Sequence, residues 1–187
     1  MHEDIMEFLE LSKIMMDESI EYLEKELVKI RAGKASPTML SGISVDYYGS
    51  KTPLNQVANV IVSDSKTLSI QPWEKTMIAN IEQAIFAANI GLTPMNNGEM
   101  VIINIPPLTE ERRKSMVKQA KQLGEDAKVS LRTIRHKAMD FIKKGVKDGY
   151  SEDLGKRREE EVQKLVNSYG DKVNNLVSSK EKDIMTI

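Results

Sequence analysis

The sequence predicts an α+β protein: an elongated three-helix bundle with a small α/β domain inserted between its first and second helices. Three long stretches carry apolar residues at spacings of three and four, the pattern of helices that pack side by side. The segment of about 75 residues between the first two stretches changes to the period of two that is typical of strands. A segment of that length is too long for a loop and must form a unit of its own.

The first long helix is predicted from Asp4 to Ile30. Its apolar face consists of Leu9, Met16, Ile20, Leu23, Leu27 and Ile30. One helix cannot bury such a face alone, so it requires helical partners.

The insert is predicted to contain strands and one short helix. Alternation in GISVDYYG, and β-branched residues in VANVIVSD, TLSIQP and EMVIINIPP, predict strands bounded by turn residues. The stretch TMIANIEQAIFAANIG predicts the helix, with Thr76 as its N-cap and Gly91 at its C-terminal end.

The second and third long helices follow the insert. Pro106 and Pro107 exclude an earlier start of the second, and Glu110 and Glu111 occupy its first turn, where the helix dipole favours carboxylates. Its apolar face consists of Met116, Ala120, Leu123, Ala127, Leu131, Ile134, Ala138 and Phe141. About 35 residues of helix make a rod of about 50 Å. The third helix begins after Ser151 and buries Leu154, Val162, Leu165, Tyr169, Val173 and Leu176.

We therefore predict two domains: a discontinuous bundle of residues 1–31 and 105–187, and an inserted α/β domain of residues 32–104. The chain crosses between them near residues 31–37 and 104–107, where glycine and proline suit a hinge. The predicted hinge residues are Gly33, Ser36, Pro37, Asn104, Pro106 and Pro107.

Composition excludes several classes of function. The chain has no cysteine, which excludes disulfides and cysteine-ligated zinc, and its two histidines have no familiar zinc-site spacing. The N-terminal MHEDIMEFLE is acidic where a leader peptide is basic, and no apolar run approaches the ~20 residues that span a bilayer. We expect a cytoplasmic monomer with no metal, no other cofactor, no small-molecule substrate and no membrane contact.

The segment KIRAGKASP, residues 29–37, does not meet the requirements of a phosphate-binding loop. That loop needs Gly-x-x-x-x-Gly-Lys-Ser/Thr between a strand and a helix. Here Val28 stands at the first glycine position, Ala35 follows Lys34, and the segment leads from a helix to a strand. No Gly-x-Ser-x-Gly elbow occurs, and the acidic residues mostly have basic neighbours three or four positions away on helices. We therefore expect no enzymatic activity.

Charge is unevenly distributed along the chain, although the formal net charge is only −1. Residues 1–31 hold 4 Lys/Arg against 9 Asp/Glu, whereas residues 112–144 hold 11 against 3. At ~100° per residue, five cations of the second helix lie within roughly 60° of one another, and Glu125 is the one acid close to them. This cationic stripe consists of Lys114, Lys121, Lys128, Arg132 and Arg135, and Arg31 and Lys34 could extend it.

Several interpretations of the stripe are open. A run of charge is often only a solvated helix face, but these cations face one way and repel one another unless a polyanion offsets them. The absence of interleaved aromatic residues argues against single-strand stacking, so folded RNA recognised by shape and backbone fits better. The alternatives are a generic structured-RNA-binding protein and a coiled-coil scaffold whose acidic first helix contacts a protein.

Three segments carry a resemblance to a known family: KIRAGKASPTMLSGISVDYYGSKTPLNQVANV, TPMNNGEMVIINIPPLTEERRK and LRTIRHKAMDF. Together they resemble the bacterial ribosome recycling factors along essentially the whole chain. The resemblance implies an L-shaped protein, similar to a transfer RNA in outline, whose bundle binds RNA of the large ribosomal subunit after termination. With elongation factor G, which hydrolyses GTP, it would split the ribosome into subunits for a new round of translation.

The resemblance also implies which residues contact ribosomal RNA. The positions that match the family's arginines are Arg31, Arg112, Arg113, Arg132 and Arg135, with Arg135 first. The chain has Lys34 and His136 where the family commonly has arginine, and Lys137 where it tends to have aspartate. Positive charge is largely retained, but lysine and histidine cannot make the bidentate contacts of arginine.

Overall fold

The computed structural model describes residues 2–186. Within them, five α-helices and six β-strands follow one another along the chain. In order they are α1 (His2–Lys29), β1 (Ser44–Tyr47), β2 (Ser50–Pro53), α2 (Leu54–Val57), β3 (Ala58–Asp64), β4 (Thr67–Pro72), α3 (Ile78–Ala87), β5 (Pro94–Asn96), β6 (Val101–Asn104), α4 (Glu110–Lys147) and α5 (Glu152–Met185). Their contacts divide the chain into a bundle unit, up to Ala32 and from Glu110 onward, and an insert unit, Gly33–Thr109.

The bundle unit consists of α1, α4 and α5, which pack along their apolar faces. Its main core contains Met16, Leu23, Leu27, Ile30, Ala120, Ala127, Leu131, Ile134, Tyr169, Val173 and Ile184. A second core, formed by Ile5, Ala138, Ile142, Tyr150 and Val162, lies near the α4–α5 turn. There the rings of Phe8 and Phe141 stack with centroids 4.3 Å apart. The residues that periodicity assigned to the interior are buried or half-buried, so three long helices cover one another as predicted.

A glycine lets α4 and α5 approach closely. Gly124 is buried in the middle of α4, and a Cβ atom there would lie 2.6 Å from Cγ2 of Val177 on α5. Glycine inside a helix costs about 0.5–1 kcal/mol relative to alanine. The close packing of the two helices is the physical reason for its presence.

Two polar contacts fix the ends and the register of the bundle helices. Ser151 caps α5 as predicted, because its Oγ accepts a hydrogen bond from the Leu154 N–H at 3.5 Å. The buried Tyr169 hydroxyl on α5 donates to an Asp17 carboxylate oxygen on α1. Burial and the Asp17 carboxylate raise the pKa of Tyr169 to about 12, since both disfavour the phenolate.

The insert unit contains an antiparallel four-stranded sheet in the order β3-β4-β6-β5 and a separate β1–β2 hairpin. Alternate residues of β4 and β6 point into one core, and Leu68 pairs with Ile103 while Ile70 pairs with Val101. Helix α3 contributes Ile81 and Ile85 to this core, and β1 contributes Val45; all are fully buried. The α+β fold class is therefore confirmed.

Parts of the insert differ from the sequence-based expectation. Strands β2 and β5 and the single-turn helix α2 were not predicted, because they are short and lack apolar alternation. Thr76 is not the N-cap of α3: a 3₁₀ turn at Lys75–Met77 precedes the helix, and Met77 is the N-cap, with no side-chain hydrogen bond. The helix ends at Ala87, before Gly91 (φ +76°).

Both predicted crossing segments are hydrogen-bonded to the β3–β4 turn within the insert unit. The Ala35 N–H donates to the Ser65 carbonyl at 2.8 Å, and the Ile105 N–H donates to the Lys66 carbonyl at 2.7 Å. Gly33 has φ +73°, and a Cβ atom there would lie 2.8 Å from Cγ of Leu108.

The predicted hinge residues take several conformations. Ser36 caps a 3₁₀ turn that begins at Pro37, and Asn104 ends β6, where its Oδ1 accepts a hydrogen bond from Thr67 Oγ1 at 3.4 Å. Pro106 and Pro107 are exposed and follow the sheet. The residues outside these anchors are the ones that a hinge would bend.

Candidate nucleic-acid interface

The cationic stripe lies along the side of α4 that contacts α5. The Lys121 ammonium is 3.9 Å from a Glu181 carboxylate oxygen on α5, and Arg135 Nε donates to Gln163 Oε1 on α5 at 2.7 Å. Both contacts cross the α4–α5 boundary, so the stripe follows the edge of the helix pair.

The three lysines of the stripe have carboxylate partners. Lys114 pairs with Glu110 at 3.3 Å and Lys128 pairs with Glu125 at 3.4 Å, in addition to the contact between Lys121 and Glu181. The expectation that Glu125 is the one nearby acid is wrong, because Glu110 precedes Lys114 by one turn and Glu181 comes from another helix. Exposed ion pairs of this kind contribute about 0–1 kcal/mol, so a phosphate can replace the carboxylate at little cost.

The two arginines at the other end of the stripe are different. Arg132 is exposed and makes no hydrogen bond or ion pair with any residue in the described range 2–186. Arg135 is half-buried, and its Nε–H donates to Gln163, whose Nε2 in turn donates to Asn167 Oδ1 at 2.9 Å. These two hydrogen bonds hold the Arg135 side chain through neutral amide groups, so the charge of its guanidinium group stays uncompensated.

A groove of ≈ 770 Å³ runs between α4 and α5 at this end of the stripe. Its α4 wall carries Lys128, Leu131, Arg132, Arg135 and His136. Its α5 wall carries Gln163, Val166, Asn167, Gly170, Asp171 and Asn174, of which Asp171 is the one carboxylate. Three cations on one wall, in an open groove with one acid, make the local charge of the groove positive.

The other predicted RNA-binding residues lie outside this groove. Arg112 is exposed in the first turn of α4, and Arg113 is half-buried there, with a buried Nε atom that has no hydrogen-bond partner. Arg31 is exposed in the bundle unit after α1, whereas the exposed Lys34 belongs to the insert unit. The structure therefore brings Lys128, Arg132 and Arg135 together with His136.

Sequence reasoning missed the α5 wall completely. Gln163, Asn167, Gly170 and Asn174 recur at spacings of four, three and four, which places them on one face of a helix. That signal is present in the sequence, but uncharged polar residues at helical spacing normally indicate only a solvated face.

Two kinds of site are not found within residues 2–186. No group of three or more His, Asp and Glu side chains is arranged to hold a metal ion. None of the helices in that range combines the length and the apolarity needed to cross a membrane.

The fold and the groove define a class: a helical bundle with an inserted α/β unit and a cationic groove suited to a nucleic-acid backbone. Comparison with known proteins identifies the family within this class. The profile of the family described as "Ribosome recycling factor" matches residues 23–185. The chain belongs to the ribosome recycling factor family, which confirms the resemblance seen in its sequence.

Curated relatives and solved structures agree with this assignment. The chain is 53% identical to the ribosome-recycling factor of Flavobacterium johnsoniae, over 100% of both chains. It is 55% identical to that of Christiangramia forsetii, over 98% of this chain and 100% of the other. A solution structure of the ribosome recycling factor is similar with a TM-score of 0.74 and 34% identity, over 98% of each chain.

A further solved structure includes binding partners. It comprises models for the T. thermophilus ribosome recycling factor and the E. coli elongation factor G bound to the E. coli post-termination complex. This chain is similar to the recycling factor with a TM-score of 0.61 and 40% identity, over 97% of this chain and 99% of that one.

Proposed function

We propose that this protein recycles ribosomes in the cytoplasm: it binds the large subunit of the post-termination ribosome and, with elongation factor G and GTP, promotes separation of the subunits. Family membership supports this proposal, as does the similar recycling factor whose structure includes elongation factor G and the post-termination complex. The protein acts as a monomer and needs no cofactor.

The bundle contacts ribosomal RNA through the groove between α4 and α5. The observation that carries this assignment is the pair of arginines: Arg132 is exposed without a partner in the described structure, and Arg135 is held in place by a neutral amide. Guanidinium groups match phosphate geometry with two parallel hydrogen bonds, so this pair is the most specific anchor on the stripe. Lys128, Lys121 and Lys114 add counterion-releasing contacts along the same edge.

The outlying cations contribute a smaller share of binding. Arg31, Arg112 and Arg113 lie near the bundle's junction with the insert in sequence and would contact phosphates beyond the groove. Lys34 would do so from the insert unit. Binding at several separate points is typical of recognition by shape and backbone.

The insert moves on its two chain crossings while the bundle stays anchored. Because Ala35 and Ile105 are hydrogen-bonded to the β3–β4 turn, bending is concentrated at residues 31–34 and 106–109. Short segments that absorb backbone rotation are sufficient for such a hinge. We therefore place the hinge at Gly33, Pro106 and Pro107, with Ser36, Pro37 and Asn104 as the fixed points beside it.

The protein does its work mechanically and catalyses no covalent chemistry. Force from elongation factor G on the insert is transmitted through the rigid helices to the subunit that the groove holds. No side chain of the chain acts as acid, base or nucleophile in this scheme, and GTP is hydrolysed by the partner.

Sedimentation with large ribosomal subunits over a salt series tests the proposal. The logarithm of the binding constant should fall linearly with the logarithm of salt concentration, as phosphate contacts require. Removal of both groove arginines, in an Arg132→Ala/Arg135→Ala variant, should make the slope shallower by roughly 1.4–1.8. Tight binding with a flat salt dependence would indicate a protein partner instead and would contradict the proposal.

A further inference from the structure

The α5 wall of the groove carries three carboxamide side chains and one glycine, with Asp171 as its single carboxylate. Gln163, Asn167, Gly170 and Asn174 span twelve residues, about 17 Å of helix, and all four line the groove. They face the wall that holds Lys128, Arg132 and Arg135 across the same space. The groove therefore has one cationic wall and one amide wall.

The two walls suit different chemical groups. Guanidinium and ammonium groups bind phosphate oxygens. A carboxamide has no net charge, so it does not attract phosphate strongly, but it both donates and accepts hydrogen bonds. A ribose 2′-hydroxyl likewise donates and accepts, and it is the group by which a protein distinguishes RNA from DNA.

The amide wall has hydrogen-bonding capacity to spare. Asn167 Oδ1 accepts from Gln163, which leaves the Asn167 NH₂ group directed away from that contact. Asn174 makes no hydrogen bond with any residue in the described part of the chain. At Gly170 a Cβ atom would meet nothing within 4 Å, so the wall is recessed between the two asparagines.

We infer that the groove takes a ribonucleic acid strand, with its phosphates on the cations of α4 and its 2′-hydroxyls on Asn167 and Asn174 of α5. The recess at Gly170 lets the sugar approach the helix backbone closely. The inference rests on the proposed function, because it assumes that this groove is where RNA binds. It adds a basis for preferring RNA to DNA, which a cationic stripe alone cannot provide, since both polymers carry the same phosphate charge.

Other occupants fit the groove less well. A helical protein partner would need large apolar anchors, and the apolar lining residues are only Leu131 and Val166. Asp171 is the one lining group that repels phosphate, and it lies on the amide wall, opposite the arginines. A strand whose phosphates face α4 and whose sugars face α5 keeps its charge away from that carboxylate.

The test compares two hairpins that differ only at the 2′ position. A short RNA hairpin and its 2′-fluoro counterpart share the A-form and the phosphate charge, but the second lacks the hydroxyl. Affinities of the 187-residue chain are measured by fluorescence anisotropy over a salt series. The variant is Asn174→Ala, because Asn174 lines the groove but has no part in the hydrogen bonds that hold Arg135, and the matched control is Asn175→Ala, which changes an exposed α5 residue outside the groove.

The wild-type protein should bind the RNA hairpin about three- to tenfold more tightly than the 2′-fluoro hairpin, the effect of one or two neutral hydrogen bonds. The Asn174→Ala variant should lose about two- to threefold of that preference, the share of one neutral hydrogen bond, while its salt slope stays unchanged, and the control should keep both. Equal binding of the two hairpins by the wild type, or an unchanged preference in the variant, would overturn the inference.

The Arg132→Ala/Arg135→Ala variant separates this failure from failure of the proposed function. It should weaken binding of both hairpins alike, make the salt slope shallower and keep the 2′-hydroxyl preference in the binding that remains. If wild-type binding depends on the arginines but shows no 2′-hydroxyl preference, the groove binds RNA and only the inference falls. If the arginines do not matter to either hairpin, RNA binds elsewhere and both fall.

Discussion

Replacement of Gly124 by alanine is the most quantitative test of the bundle's packing. The added Cβ atom would lie 2.6 Å from Val177 Cγ2 and 3.8 Å from Val173 Cγ1. Because carbon atoms pack best at about 3.5–4.0 Å, the Cβ atom and Val177 Cγ2 would have to move apart by about 1 Å. A β-branched residue in a helix has one strongly preferred rotamer, so Val177 cannot simply turn away.

Two opposing terms set the size of the effect. Overpacking a well-filled core costs typically 1–3 kcal/mol, whereas alanine gains about 1 kcal/mol over glycine in a helix interior. Gly124→Ala should therefore lower the free energy of unfolding by about 1 kcal/mol, within a range of about 0–2 kcal/mol. In the Val177→Ala background the steric term disappears, and Gly124→Ala should instead stabilise by up to about 1 kcal/mol.

Urea denaturation followed by far-ultraviolet circular dichroism measures both values, because the three long helices dominate that signal. The double-mutant cycle should give a coupling energy of at least about 1 kcal/mol, with unchanged m-values. If Gly124→Ala stabilises the wild-type protein by the full helix-propensity term and the coupling is zero, α4 and α5 do not approach at this glycine and the reasoning is wrong.

Three further perturbations test separate features. Tyr169→Phe should remove a pH dependence of stability, because the pKa of Tyr169 is about 12 in the fold and 10.0 in the unfolded chain. The stabilisation that follows from this difference is complete below pH 10.0 and is lost as the pH rises towards 12. Only the wild type should therefore lose this stability in denaturation at high pH, and equal curves for the two proteins would exclude the hydrogen bond to Asp17. Glu74 accepts hydrogen bonds from the hydroxyls of Tyr47 and Tyr48 at 2.9 Å each and raises the pKa of both, so Glu74→Gln should lower both pKa values in an NMR titration, and unchanged values would exclude this contact. Gly33→Ala should destabilise the insert by about 1–3 kcal/mol, because φ is +73° and the new Cβ would meet Leu108; undiminished protection of insert amides in hydrogen exchange would contradict it.

The long helices could be predicted from sequence because their signal is repeated many times. The predicted first helix, Asp4 to Ile30, differs from α1 by two residues at the start and one at the end. Strand β4 coincides with the predicted TLSIQP segment, because its β-branched residues Thr67 and Ile70 favour a strand and turn residues bound it.

The short elements could not be predicted because pairing defines them. Strands β2 and β5 have only four and three residues. Each forms by pairing with a strand whose own sequence pattern is clearer, β1 for β2 and β6 for β5. The predicted start of α3 is wrong because a 3₁₀ turn at Lys75–Met77 leads into the helix, so the Thr76 side chain does not cap it.

The sequence predicted the α4 side of the candidate site but not its α5 side. One helix suffices to align Lys128, Arg132 and Arg135, so their common face follows from the 3.6-residue period. The pairing of Lys121 with Glu181 and the position of Gln163 beside Arg135 depend on how α5 packs against α4. No local pattern carries that information.

The most direct measurement is binding of charge-reversed variants to large ribosomal subunits. Arg132→Glu/Arg135→Glu changes the groove, and Lys137→Glu/Lys144→Glu makes the same change in charge at exposed positions on the opposite face of α4. With helix content equal in all proteins, sedimentation at moderate salt should show binding abolished in the first variant and largely retained in the second. Subunit splitting with elongation factor G and GTP should follow the same pattern. Normal binding and recycling by Arg132→Glu/Arg135→Glu, or equal loss in both variants, would contradict the assignment of the groove.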